Sequence, residues 1–84
     1  MNVLDIYLTR HCFGCQEAFN IAREIGLEMP CLAVELRYLE EMKESEIPEV
    51  VATPSYFFNG LRIFMGNPKL DELMLRVTSL TEQQ

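Results

Sequence analysis

The alternation of apolar and polar positions predicts a strand, a helix and a second strand in the first part of the chain. Val3 to Thr9 is apolar and rich in β-formers, with Asp5 its only charge, which is typical of a largely buried strand. Gly26 lies where the C-terminal cap of the following helix belongs, and a nearby proline cannot continue that helix. The apolar face of the helix is predicted to comprise Cys15, Ala18, Phe19, Ala22 and Ile25. Cys31 to Val34, with Leu36, predicts a second strand and hence a βαβ unit with parallel strands.

The middle of the chain gives a weak signal. Residues 38–49 are rich in glutamate, and Leu39 and Met42 fit a short helix that Pro48 would end early. The same residues fit an irregular acidic loop equally well, so both alternatives stay open. The glutamates predict a solvated face that would favour basic over acidic partners.

The last third predicts a hairpin followed by a closing helix. Ser55 to Phe58 and Leu61 to Met65 are strand-like, and Asn59-Gly60 between them is the strongest two-residue hairpin pattern. Asn67 is the predicted N-cap of the last helix, with Pro68 in its first turn. The apolar face of this helix is predicted to comprise Leu70, Leu73, Met74, Val77 and Leu80.

These elements follow the order β-α-β-(α)-β-β-α. A parallel pair of strands joined to an antiparallel hairpin gives a mixed four-stranded sheet of the α/β class, with helices covering its faces. At 84 residues, and without repeats or linkers, the chain is predicted to form one domain over residues 1–84.

The charge of the chain argues against several classes of partner. Lys and Arg number 7 against 13 Asp and Glu, which gives a net charge of −6. Such a surface repels nucleic-acid phosphates and anionic lipids, so neither nucleic acid nor a membrane surface is an expected partner. No apolar run approaches the roughly 18 residues of a membrane span, and residues 1–10 do not resemble a signal peptide. We therefore expect a cytoplasmic protein, and a monomer.

The cysteines indicate chemistry rather than a structural disulfide framework. There are three, an odd number in a short chain. Cys12 and Cys15 flank Phe13-Gly14 at the predicted start of the first helix, where residues three apart have Cβ atoms about 5–6 Å apart. Only a small adjustment brings such a pair to disulfide geometry. The pair can therefore be oxidised and reduced without unfolding the chain.

The position at a helix N-terminus favours a reactive thiolate. Unpaired N–H groups and the positive end of the helix dipole lower the pKa of a thiol there from its ordinary value of about 8.5. Cys12 is predicted to be the exposed nucleophile, and Cys15, one turn deeper, to resolve the mixed disulfide. His11 would stabilise the thiolate if protonated, or its ring would line the peptide groove.

Other roles for the cysteines compete with this one. Zinc uses the same spacing but needs four ligands, and the only further candidates are His11 and Cys31. Haem attachment requires a histidine after the second cysteine, where this chain has Gln16. The pair could also lack a redox role. Cys31 is predicted to be a buried core thiol on the second strand, with a regulatory or dimer-forming cysteine as the alternative.

Thr53-Pro54 precedes the first strand of the hairpin. A proline there forfeits a hydrogen bond of the sheet. A cis Thr53–Pro54 bond would expose the N–H and C=O of Thr53 to an extended substrate. The alternative is an ordinary trans proline at a strand edge, and these two residues taken alone favour that alternative.

Together these features resemble the thioredoxin-fold superfamily, and most of all its short members, the glutaredoxins and glutaredoxin-like thioredoxins. The resemblance extends from Val3 to Leu80. Its motifs are Tyr7 before the cysteine pair, Cys12 with Cys15, Thr53-Pro54, the Asn59-Gly60 turn and the break at Gly66. The resemblance implies a thiol–disulfide oxidoreductase in which Cys12 is the nucleophile and a cis-proline loop at Thr53-Pro54 faces it.

We therefore expect dithiol–disulfide exchange on protein substrates, in the reducing direction. Cys12 and Cys15 form the redox-active disulfide, and Thr53, Pro54, His11 and Phe13 contact the substrate. No cofactor or metal is expected. Electrons would come from a partner reductase of the thioredoxin-reductase kind or from a small thiol. The alternative functions are a non-catalytic binding or redox-sensing module with the same fold, or a zinc or iron–sulfur protein.

Overall fold

The computed structural model describes residues 1–49 and 52–83, which form a sheet, two α-helices and two short 3₁₀ turns. The strands are β1 (Val3–Leu8), β2 (Ala33–Tyr38), β3 (Ser55–Phe58) and β4 (Leu61–Met65), and the helices are α1 (Cys15–Glu28) and α2 (Leu70–Glu82). No helix in these two ranges is long and apolar enough to cross a membrane.

The sheet has the order β2-β1-β3-β4. β1 pairs with β2 in parallel and with β3 in antiparallel fashion, and β4 pairs with β3 at the edge. The predicted mixed four-stranded sheet is confirmed. β1 lies between β2 and β3, and its side chains alternate between the core face and the opposite face, where Tyr7 packs against Phe57.

The core lies between one face of the sheet and both helices. Leu4, Ile6 and Leu8 of β1 are fully buried and belong to one cluster with residues of α1 and α2. The prediction that helices cover both faces is therefore wrong, because the apolar faces of α1 and α2 join the same core. Among the residues that the structure describes, the opposite face carries no α-helix. The side chains in the core cluster are Leu4, Ile6, Leu8, Cys15, Ala18, Ile21, Ala22, Ile25, Leu32, Tyr56, Phe58, Leu73 and Val77.

The opposite face of the sheet is held by polar and aromatic pairs. Asp5 Oδ1 accepts a hydrogen bond of 3.0 Å from Arg37 Nε, an ion pair between β1 and β2. Tyr7 and Phe57, on β1 and β3, pack edge to face with ring centroids 5.1 Å apart. Cross-strand pairs of both kinds stabilise the pairing of neighbouring strands.

Helix α1 differs from its prediction at two positions. Gly26 is not a cap: the helix continues to Glu28, and the N–H of Met29 donates to the C=O of Ile25 at 2.8 Å. Phe19 is 46% exposed, and Ile21 is buried in its place. With 3.6 residues per turn, Ile21 lies closer than Phe19 to the centre of the face that the sheet covers.

Strand β2 begins at Ala33, two residues later than predicted, and this changes the position of Cys31. The N–H of Leu32 donates to the C=O of Met29 at 3.0 Å, which closes a turn through Pro30 and Cys31. Leu32 is buried by this turn, whereas Cys31 is exposed. The prediction of a buried core thiol on a strand is therefore wrong.

The acidic middle segment is neither of the two predicted forms. It contains two 3₁₀ turns, Leu39–Glu41 and Glu44–Glu46. The first turn is closed by one backbone hydrogen bond and the second by two, and extended residues at Met42 and Lys43 separate them. Short 3₁₀ turns of this kind are common connectors between longer elements.

The predicted hairpin is confirmed, and the start of α2 is corrected. Asn59 and Gly60 both have positive φ, 49° and 86°, as a tight type I′ turn requires. α2 begins at Leu70 with Lys69 as its N-cap residue, rather than after Asn67. The Asn67 side chain is instead hydrogen-bonded to Tyr56 and to Gly14.

Candidate active site

The two cysteines lie in the loop that leads from β1 into α1. Cys12 and Cys15 are joined by a disulfide, with their Cα atoms 5.5 Å apart. Cys15 is the first residue of α1 and is buried, whereas Cys12 lies outside the helix and is half-buried. Of the two cysteines, Cys12 is therefore the more exposed.

Gly14 gives the loop between the cysteines its shape. It is the N-cap residue of α1 and has a φ of +92°, a left-handed conformation that costs an L-residue free energy. A Cβ at this position would lie 3.2 Å from Asn67 Nδ2 and 3.8 Å from Pro54 Cδ. Glycine therefore suits both the backbone conformation and the close approach of two other loops.

The N-terminus of α1 has donors to offer to a negative charge. No side chain caps the helix, so the first-turn N–H groups are not satisfied by a capping side chain. The N–H of Cys15 makes only a long bond, 3.4 Å, to the C=O of Cys12. A thiolate on Cys12 would lie beside these groups and beside the positive end of the helix dipole. Glu17, also in the first turn, places one negative charge in the same region.

Thr53 and Pro54 lie against the cysteine loop. The peptide bond between them is cis, and Pro54 is buried. The C=O of Pro54 accepts a hydrogen bond of 2.7 Å from the N–H of Gly66. Thr53 is half-buried and lies two residues before Ser55, the first residue of β3, which pairs with β1. The structure thus brings this predicted pair close to Gly14, across a gap of some forty residues of sequence.

His11 and Phe13 flank Cys12 on the surface. His11 is exposed, and Phe13 projects fully into solvent at 102% relative exposure. An aromatic side chain that buries nothing in its own fold is available to contact another molecule. Both residues therefore adjoin Cys12 in the chain and are open to solvent.

Sequence reasoning missed two residues of this region. Tyr56, fully buried on β3, donates its hydroxyl hydrogen to Asn67 Oδ1 at 2.8 Å. Asn67 Nδ2 in turn donates to the C=O of Gly14 at 2.8 Å. Burial above all, and then the charge of Glu17, raises the pKa of Tyr56 well above its usual range, so this hydroxyl stays a neutral donor. In the sequence, this segment was marked only by the break at Gly66, and Asn67 was predicted to be a helix N-cap.

Arg10, close to the cysteine loop, is engaged with acidic neighbours. Its backbone N–H donates to Glu40 Oε2 at 2.7 Å, and its guanidinium pairs with Glu41 and stacks over the Tyr38 ring at 4.7 Å. The backbone N–H of Arg10 lowers the pKa of Glu40. A small pocket of about 140 Å³ beside Cys15 is lined by Thr9, Arg10, Cys15, Gln16, Phe19 and Tyr38. Because two glutamates balance its charge, Arg10 is a poor anchor for an anionic ligand in that pocket.

The third cysteine is remote from this pair. Ala33, two residues after Cys31, is paired with Val3 at the start of β1, whereas Cys12 follows the end of that strand. A six-residue strand at about 3.3 Å per residue separates the two regions by roughly 16 Å. Within residues 1–49 and 52–83, no group of three or more His, Cys, Asp and Glu side chains is placed to hold a metal ion. Cys31 and the cysteine pair therefore do not form a common ligand set.

Comparison with solved structures identifies a similar architecture. The crystal structure of the germline-specific thioredoxin Deadhead from Drosophila melanogaster matches with a TM-score of 0.77. The match covers 94% of this chain and 80% of that chain, at 16% sequence identity. No family model and no curated protein sequence matches the chain. At this identity the likeness concerns the fold.

Proposed function

We propose that this thioredoxin-fold protein is a thiol–disulfide oxidoreductase that reduces disulfides in other proteins. The observation that carries the proposal is the disulfide between a half-buried Cys12 and a buried Cys15 at the N-terminus of α1, with Pro54 packed opposite. The fold and the cysteine spacing support a redox-related role. The difference in accessibility of the two sulfurs supports two distinct chemical roles.

In the proposed reaction the reduced protein first attacks through Cys12. The Cys12 thiolate forms a bond to one sulfur of the substrate disulfide, and the other substrate sulfur leaves as a thiolate that takes up a proton. Cys15 then loses its proton and attacks Cys12 Sγ, which expels the second substrate sulfur. The protein ends as the Cys12–Cys15 disulfide, and two electrons and two protons have passed to the substrate.

Burial supports this order of steps. Cys15 is only 8% exposed, so a folded protein substrate cannot bring its disulfide to that sulfur. Once the mixed disulfide has formed on Cys12, Cys15 is already within one helical turn of it. Such proximity makes the second attack intramolecular and fast.

The surroundings of Cys12 support a role in holding an extended substrate. Thr53 would pair its backbone N–H and C=O with a substrate strand, next to Pro54. Phe13 and His11 would contact substrate side chains on the other side of the sulfur. The net charge of −6 favours neutral or basic substrate segments.

We place the proposed reductant in a reducing compartment, the cytoplasm, as a monomer. There a partner reductase or a small thiol can return electrons to the Cys12–Cys15 disulfide, so that the protein needs no bound cofactor.

The test combines a redox titration with single cysteine variants. All proteins carry Cys31→Ser, because the exposed Cys31 would otherwise form mixed disulfides of its own. A reversible two-electron transition near about −270 mV would support a reductant, and one near about −120 mV would contradict that direction. Cys12→Ser should abolish reduction of a protein disulfide, whereas Cys15→Ser should accumulate the mixed disulfide on Cys12.

The control is Cys31→Ser alone, which should retain full turnover. If no reversible disulfide forms, or if Cys12→Ser keeps turnover, the enzymatic proposal is wrong. A Cys12→Ser protein that still binds its partner would then point to the binding or redox-sensing module.

A further inference from the structure

A chain of two hydrogen bonds links the cysteine loop to the centre of the sheet. Tyr56 donates to Asn67 Oδ1, and Asn67 Nδ2 donates to the C=O of Gly14, each at 2.8 Å. A carbonyl can only accept, so the amide must present its nitrogen to Gly14 and its oxygen to the tyrosine hydroxyl. The orientation of the Asn67 side chain is thereby fixed at both ends.

The inner end of this chain is rigid. Tyr56 has no exposed surface and lies on β3 between Ile6 of β1 and Phe64 of β4. A side chain packed in this way has little freedom to move. Asn67 is therefore held against a fixed point, even though its own side chain lies at the surface.

The segment that carries Asn67 is also tied to the proline loop. One residue earlier, the N–H of Gly66 donates to the C=O of Pro54 at 2.7 Å. The segment between β4 and α2 thus bonds to both loops that surround Cys12. Gly14, Pro54 and Asn67 meet at one point, where a Cβ on Gly14 would contact the other two residues.

The outer end of the chain acts on the peptide between the cysteines. The C=O of Gly14 belongs to the amide that leads into Cys15, and it already accepts the N–H of Ala18 at 3.1 Å as the first hydrogen bond of α1. Asn67 is thus a second donor on this carbonyl. It restrains the turn that sets the separation of the two sulfurs.

We propose that Asn67, braced by Tyr56, is a positioning residue that sets the redox potential of the Cys12–Cys15 pair. This inference rests on the proposed function. The disulfide itself holds the loop closed in the oxidised protein, but in the dithiol protein only non-covalent contacts do so. Asn67 keeps the reduced loop near the closed geometry, raises the effective concentration of one thiol at the other and so favours the disulfide.

The loss of this contact therefore has a definite sign. Without the Asn67 bond the reduced loop opens more often, and forming the disulfide must first close it again. The equilibrium constant for oxidation falls, and the potential rises. A net hydrogen bond contributes about 1–1.4 kcal/mol, which corresponds to a factor of about five to ten.

The experiment is a redox equilibration of Asn67 variants in defined mixtures of reduced and oxidised glutathione, in the Cys31→Ser background. Asn67→Ala should lower the equilibrium constant for disulfide formation about fivefold to tenfold, a rise of about 20–30 mV for a two-electron couple. Asn67→Asp keeps the size of the side chain and the acceptor for Tyr56 but has no N–H for Gly14. Measured at about 1 M salt, which screens the added carboxylate from the Cys12 thiolate, it should shift the constant in the same direction.

The matched control is Asn20→Ala, which removes a half-buried amide from the sixth residue of α1, beyond the cysteine loop. It should leave the equilibrium constant unchanged. Unfolding in urea provides a second measurement: Asn67→Ala should destabilise the oxidised protein more than the reduced one. A residue with a merely structural role would destabilise both forms equally and leave the potential unchanged.

The outcomes separate the two proposals. If the parent protein forms no reversible disulfide, the proposed function fails and this inference falls with it. If the parent protein titrates reversibly and the two Asn67 variants share its potential, only the positioning role of Asn67 is overturned. If Asn67→Ala does not fold, Asn67→Asp decides whether Asn67 sets the redox potential. The exposed position of the side chain favours folding of both variants.

Discussion

Gly14 is the residue whose replacement tests the cysteine loop most directly. Its φ of +92° is one that residues with a side chain rarely adopt. A Cβ added to Gly14 would lie 3.2 Å from Asn67 Nδ2. Alanine there would be strained by its own backbone and would push the Asn67 amide away. Gly26, inside α1, has neither constraint, since no atom lies within 4 Å of its added Cβ.

We expect the two alanine substitutions to have opposite signs. Gly14→Ala should lower the free energy of unfolding by about 1–2 kcal/mol, the cost of a left-handed conformation. Gly26→Ala should raise it by about 0.5–1 kcal/mol, because alanine loses less conformational entropy in a helix interior. Urea unfolding of both variants in the oxidised state measures this difference. Equal effects at the two positions would show that the φ of Gly14 imposes no strain on alanine.

At the scale of elements, the hairpin is the part most completely specified by local sequence. Asn59 adopts a φ of 49° and also ties the turn to the start of β1. Its Oδ1 accepts the N–H of Val3 at 2.9 Å, and its Nδ2 donates to Asn2 Oδ1 at 3.1 Å. The same side chain therefore serves the turn conformation and the pairing of the hairpin with β1.

Substitutions at Asn59 separate these two contributions. Asn59→Gly keeps the easy access to positive φ but removes both side-chain bonds, so we expect a loss of about 1 kcal/mol of stability. Asn59→Ala loses the bonds and is also strained in φ, so its loss should be about 1 kcal/mol larger. Thermal and urea unfolding should show that stability decreases from the parent protein to Asn59→Gly and again to Asn59→Ala. An alanine variant as stable as the glycine variant would contradict the role assigned to the backbone.

The helices show how far periodicity alone extends. The spacing of apolar residues predicted both helices, and Cys15, Ala18, Ala22 and Ile25 are buried as expected. Whether Ile21 or Phe19 lies on the buried face depends on how α1 is rotated about its axis over the sheet. That rotation is set by packing against β1 and α2, which no local pattern contains.

At the scale of the whole molecule, the excess of acidic residues should influence the proposed reaction. The net charge of −6 attracts positively charged substrates over distances comparable to the Debye length, about 10 Å at 0.1 M salt. Reduction of a basic disulfide peptide should slow as salt is added, whereas reduction of an acidic peptide of the same length should quicken or stay unchanged.

Measurement of the second-order rate constant for both peptides, from low salt to about 0.5 M, would test this expectation. At that concentration the charges are largely screened and the two rates should converge. Both peptides are reduced by the same protein and the same cysteine pair. Any effect of salt on the redox potential of that pair would therefore change both rates alike. Identical salt profiles for the two peptides would argue against electrostatic selection.

The sequence by itself determined the order of the strands and α-helices, the parallel pair and the antiparallel hairpin, the Asn59-Gly60 turn and the placement of Cys12 and Cys15 at a helix start. These features depend on patterns within a few residues, such as apolar periodicity, turn conformation and the three-residue spacing of two thiols. The tertiary structure decided the rest: both helices on one face of the sheet, Cys31 in an exposed turn and Asn67 bonded to Gly14, 53 residues away. Such contacts form only when the strands and helices have packed, because their partners share no local sequence.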